Sequence, residues 1–162
     1  MTEQRKKQQG FSLIELLIVV AIILIIASIA IPNLLRARMS ANEASAVGAV
    51  RTLNTAQIQY NSAYPTVGYA ATLAALGGTA CAPPSSTSAC LIDSQLASGA
   101  KNGYTYTLTG VAGTPAATYQ VIATPTVPNQ TGTRYFCSGP DAVVRSGVSP
   151  ITTCDQTVTP LQ

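Results

Sequence analysis

GFSLIELLIVVAIILIIASIAIP, Gly10 to Pro32, decides how the rest of this 162-residue chain has to be read. From Phe11 to Leu35 the only charged side chain is Glu15. A helix through those residues is apolar on every side, which suits hydrocarbon or the inside of a bundle rather than water. Arg5, Lys6 and Lys7 ahead of it give the start the look of a secretory signal. Two features count against that: the run outlasts a signal core, and no small-x-small cleavage site with a loop follows it.

The helical pattern instead continues. Asn33 to Asn61 contains no proline and many good helix formers. At about 100° per residue, Ala46, Val47, Val50, Leu53, Ile58 and Tyr60 share one side, with Ser45, Thr52, Thr55 and Gln59 opposite. The expectation is one helix of about 50 residues, roughly 75 Å long at 1.5 Å per residue. Its first half needs a membrane or partner helices, and its second half needs a domain to lie on. Pro32 removes the bond to the Ser28 carbonyl, so a kink or local melting is expected there; the competing reading ends the membrane helix at Pro32.

After Tyr64-Pro65 the composition turns to Gly, Ala, Ser, Thr and Pro. A proline-rich connection follows, then short alternating runs at 104–109, 118–124, 133–137 and 142–145. Turns at 110–115 and 138–141 separate them, so the expected fold class is α+β: a long amino-terminal helix packed on a roughly four-stranded antiparallel sheet. Cys81, Cys90, Cys137 and Cys154 all lie in this polar half, and with no histidine in the chain their spacing fits zinc sites poorly. Two disulfides in an oxidising compartment are expected. Three connectivities are open, of which neighbours, Cys81 with Cys90 and Cys137 with Cys154, are favoured because short loops pair with least rearrangement.

Composition narrows the chemistry. Apolar residues make up 47% and charged ones 9%, and the net charge of +3 lies largely in the first ten residues. The remainder is near +1, which argues against a basic nucleic-acid footprint. Without histidine the usual general base and the Ser-His-Asp and Cys-His arrangements are excluded. Asp93, Asp141 and Asp155 are scattered in expected loops and read as turn residues before a calcium or acid/base site. No enzyme, metal or cofactor is expected. Asn129-Gln130-Thr131 matches the N-glycosylation tripeptide, a pattern short enough to arise by chance.

KKQQG followed by FSLIELLIVVAIILIIASIAIPNL resembles the type IV pilin signature, in which a basic leader, Gly, Phe, apolar residues, Glu and a long apolar helix with a proline occur at these spacings. The resemblance covers roughly Gln9 to Asn61. It implies that a prepilin peptidase removes residues 1–10 by cutting between Gly10 and Phe11, and that the new Phe11 amine is N-methylated. It implies that 11–35 forms the membrane and filament-core helix half, with 36–162 as the head including the amphipathic half. The residues matching Glu15 and Pro32 serve assembly, Glu15 by pairing with a neighbour's terminal ammonium and Pro32 by marking a segment that loosens in the filament. Implied partners are copies of itself, the peptidase, an inner-membrane assembly platform and, before assembly, lipid.

Physics converges on Glu15. A carboxylate in hydrocarbon costs several kcal/mol unless neutralised or paired, by order of magnitude. The processed amine of its own or another copy is the one candidate cation in the segment; a protonated, unpaired Glu15 at the interface is the competing reading. Arg36, Arg38, Glu43 and Arg51 are the other helix charges, and Glu43 has no basic residue at i±3 or i±4, which leaves intersubunit pairs or solvation open. Seven tyrosines read as packing residues before a conducting path. The expected function is a pilus subunit for adhesion, motility or DNA uptake, held in the inner membrane and then extracellular. The alternatives are a type II secretion pseudopilin, which typically carries a C-terminal calcium loop and lacks such a cysteine-closed end, and a membrane-anchored extracellular binding module with an uncut leader.

Overall fold

A computed structural model describes residues 11–78 and 81–161. The chain divides into two units, Met1–Ala37 and Arg38–Gln162. Helix α1 spans Leu13–Ala63, 51 residues with Pro32 inside. The helix does not melt at Pro32, and the competing reading, in which the helix ends there, does not hold. A proline deletes one i to i−4 bond, and the remaining ladder carries the helix past it. Ser28, whose carbonyl loses that bond, donates its hydroxyl to the Ile25 carbonyl at 2.7 Å.

Within Arg38–Gln162, α1 is followed by two single turns, α2 (Leu73–Leu76) and α3 (Ser94–Ala97), started by Thr72 and Asp93 acting as N-caps. Five strands follow: β1 (Ala100–Lys101), β2 (Tyr104–Gly113), β3 (Ala116–Pro125), β4 (Tyr135–Ser138) and β5 (Arg145–Gly147). They form one antiparallel meander in the order β1-β2-β3-β4-β5. The architecture is the expected α+β one, with five strands where four were expected.

Three differences have local causes. β2 runs on through a bulge between Thr109 and Ala112, which shrinks the expected 110–115 turn to Thr114-Pro115, entered from Gly113, where φ is +95°. β4 begins at Tyr135 instead of Thr133, because the N–H groups of Thr133 and Arg134 are taken by a helix carboxylate, Glu43. The last strand starts at Arg145 instead of Ala142: Ala142 sits at φ +56° in a turn, and the Asp141 carboxylate accepts from the Val143 N–H at 3.2 Å.

The core lies between one face of α1 and one face of the sheet. Ala46, Val50, Leu53, Ala56 and Tyr60 of the helix meet Tyr104, Tyr106, Tyr119, Val121, Ala123 and Phe136 of the strands. Register places Ala123 between Tyr106 and Phe136, so a small residue makes room for two rings. The opposite helix positions Thr52, Thr55 and Gln59 are exposed. Ile58, assigned above to the buried side, is also 52% exposed. It lies roughly 110° from the centre of the buried arc at 100° per residue, past the rim that Val47 marks.

Candidate assembly and processing site

Ser12-Leu13-Ile14-Glu15 is an S-x-x-E sequence at the start of a helix, the pattern of a capping box. The Ser12 N–H donates to Glu15 Oε2 at 2.9 Å, and the Ser12 carbonyl accepts from the Leu16 N–H at 3.3 Å. The carboxylate thus reaches back over the first turn, where the helix dipole favours negative charge. The S-x-x-E spacing is the sequence signal for this contact, one that the charge pattern alone does not show. One N–H fills a fraction of a carboxylate's acceptor capacity, and among the described residues no cation lies within ion-pair distance of Glu15.

Phe11, one residue before this cap, is 87% exposed. Gly10, on the leader side of the expected cut, lies outside the described residues. Between Leu13 and Leu35 no large apolar side chain is covered, and the most apolar 18-residue window has a mean hydropathy of 3.2 with none of it buried. By length and composition the helix suffices to cross a membrane. Pro32 stands 17 residues beyond Glu15, roughly 25 Å along the axis. The two therefore do not share a local site.

The second unit engages its described side-chain carboxylates within itself. Glu43 is buried and accepts from the Thr133 N–H at 2.8 Å, the Thr133 hydroxyl at 2.9 Å, the Arg134 N–H at 3.2 Å and Arg134 Nε at 2.8 Å. The expectation of an intersubunit or solvated Glu43 is therefore corrected: its partner is 91 residues away in the same chain. Burial alone would raise its pKa; the bonds from Thr133 and Arg134 outweigh it and hold the group below its ordinary value. Asp93 pairs with Lys101 at 2.8 Å, and Asp141 pairs with Arg145. Asp155 accepts from the N–H and hydroxyl of Thr157. Among the described residues no group of three or more His, Cys, Asp or Glu is placed to hold a metal ion.

Cys81 is joined to Cys90 and Cys137 to Cys154. The first bridge closes a Ser- and Pro-rich loop onto which Tyr60 reaches, its hydroxyl donating to the Ser86 carbonyl at 2.6 Å. The second fastens the carboxy-terminal segment to β4, and Cys154 N–H donates to Gln120 Oε1 on β3 at 3.0 Å. Burial pushes the Tyr106 and Tyr119 hydroxyls up to about 12, so neither is a base near neutral pH.

Residues 5–31 match the family model described as the prokaryotic N-terminal methylation motif. The chain is 36% identical over 66 residues to type II secretion system core protein G of Aeromonas hydrophila, covering 39% of this chain and 46% of that one. It is 40% identical over 67 residues to core protein G of Vibrio cholerae, covering 40% and 46%. It is 60% identical over 38 residues to the type IV wide pilus major component PilA4 of Thermus thermophilus, covering 24% and 29%. The chain thus spans less than half the length of these relatives. No solved structure matches it significantly.

Proposed function

We propose that this chain, whose amino-terminal part is that of the type IV pilin and pseudopilin family, is the structural subunit of a type IV pilus. Residues 11–35 store it in the inner membrane. A prepilin peptidase cuts between Gly10 and Phe11, the new amine is methylated, and an assembly platform draws the subunit into a helical homopolymer. The observation that carries this is the methylation motif running into a helix whose first half, Leu13 to Leu35, has no covered large side chain and one carboxylate, Glu15, in its first turn. Such a surface needs a cover, and copies of itself replace lipid by packing apolar helices together. A heterologous contact that does not close gives an open helical fibre. The head coats that fibre for adhesion, motility or DNA uptake.

A second reading, a pseudopilin of type II secretion, is favoured by the two relatives named core protein G. Two features of the head weigh toward the pilus. Asp141 and Asp155, the carboxylates near the carboxy terminus, are engaged by Arg145 and Thr157 instead of being grouped for a cation. The Cys137–Cys154 bridge closes that end.

Electron microscopy of sheared surface fibres, with intact-mass measurement of their subunit, tests the proposal. The expected result is fibres made of a subunit that begins at an N-methylated Phe11. A mature protein that keeps residues 1–10 and forms no fibre overturns it in favour of an anchored binding module.

A further inference from the structure

The ion pairs of the head, among the described residues, do not use the arginines of α1. Lys101, Arg134 and Arg145 each close on a carboxylate. Arg36, Arg38 and Arg51 are exposed on α1, with no ion pair among the described residues. Arg36 and Arg38 follow Leu35, the last residue of the apolar run. No acidic residue stands between Glu15 and Glu43, and Glu43 is committed to Arg134.

Helical geometry then selects the partner. Two residues apart on one helix, Arg36 and Arg38 point about 200° apart. One flat protein face meets one of them; a medium that surrounds the helix meets both. The 25 residues from Phe11 to Leu35 rise about 37 Å, somewhat more than the ~30 Å hydrocarbon core of a bilayer. Both guanidiniums therefore fall in the headgroup layer on the side away from Glu15, where phosphate oxygens match their fork and the arginine stems can lie along lipid.

We infer that Arg36 and Arg38 form a phosphate-binding collar, which grips phospholipid headgroups while the chain is stored in the membrane. This rests on the membrane-stored stage of the proposed function. Extraction into a fibre then breaks two charge-assisted contacts in addition to moving apolar surface.

The test uses the full-length chain in detergent micelles, with native mass spectrometry counting bound phosphatidylglycerol against phosphatidylcholine, beside co-flotation with vesicles of each lipid. The wild type is expected to prefer phosphatidylglycerol, and the preference to fall about fivefold for each of Arg36→Gln and Arg38→Gln. Arg51→Gln, farther from the apolar run, leaves it unchanged. A double variant that keeps the wild-type preference overturns the inference while the stored form stands. So does a short DNA duplex whose binding, in place of lipid preference, is lost with the two arginines. A wild-type chain that floats with neither vesicle overturns the membrane-stored reading and the collar together.

Discussion

A carboxylate on a helix face that faces a protein core has to exchange its water for other donors, and Glu43 has four of them, all from Thr133 and Arg134. Two are backbone N–H groups that would otherwise belong to a strand, so one helix residue decides where β4 starts. Glu43→Ala strands these donors and is expected to destabilise the head by about 2–3 kcal/mol, at or below the lower limit for breaking a fully buried pair because the Arg134 side chain is half-exposed. Glu43→Gln keeps a carbonyl acceptor and should cost about half of that. The pH dependence has a definite sign. The folded pKa is depressed below the ordinary 4.5, so the stabilisation is fully present above that value and is lost as pH falls through the folded pKa. Denaturant titrations of the detergent-solubilised wild type and Glu43→Gln, at neutral pH and below pH about 4.5, measure it. The gap between the two should narrow on acidification, and a constant gap would show that the charge contributes nothing.

At the scale of elements, the amphipathic part of α1 owes its seating to polar residues as much as to apolar ones. Gln57 is fully buried and pairs twice with the backbone of one residue, donating to the Ala70 carbonyl at 3.0 Å and accepting from the Ala70 N–H at 2.8 Å. Asn54 donates to Ser138 Oγ at 2.8 Å and accepts from the Tyr119 hydroxyl at 3.2 Å. Gln57→Ala leaves both Ala70 groups without partners and is expected to cost about 2–4 kcal/mol. Ile58→Ala, one residue on and exposed, should cost less than about 0.5 kcal/mol. Thermal unfolding of the two variants checks the order, and equal losses would mean that burial is misassigned along the helix. Hydrophobic periodicity found the helix, its buried face and the strand-bearing half, since these follow from spacing within a few residues. It could not find Glu43, Asn54 or Gln57 as core residues, because their partners lie 91, 84 and 13 positions away and nothing local marks a polar side chain as satisfied. The last strand, β5, starts later than its sequence pattern suggests for a related reason. Ala142-Val143-Val144 alternates like a strand, yet the Asp141 turn and the positive φ of Ala142 consume it before pairing starts.

For the whole molecule the question is what Glu15 contributes once the chain meets other copies. The single-chain structure gives it a job already, as acceptor for the Ser12 N–H in a capping box. A cap and an intersubunit charge make different demands. The cap needs an oxygen acceptor at N3, which glutamine supplies, whereas attraction to a neighbour's Phe11 ammonium needs a net negative charge, which glutamine lacks. The proposed cut would leave the amine one residue before Ser12, so the cap holds the carboxylate beside the end of the helix, within reach of a copy displaced along the axis by about one turn, roughly 5 Å. Glu15→Gln is therefore expected to insert, to be cut and methylated at Phe11, and yet to yield few fibres. Glu15→Ala, which loses the cap as well, should further fray the first turn, at a cost of about 1 kcal/mol. Fibre yield by shearing and subunit mass by spectrometry, measured on both variants, separate the two roles. If the glutamine variant makes fibres at the wild-type level while the alanine variant does not, Glu15 serves assembly by ordering the helix start, and the axial register between copies has to come from the packing of the apolar helices alone.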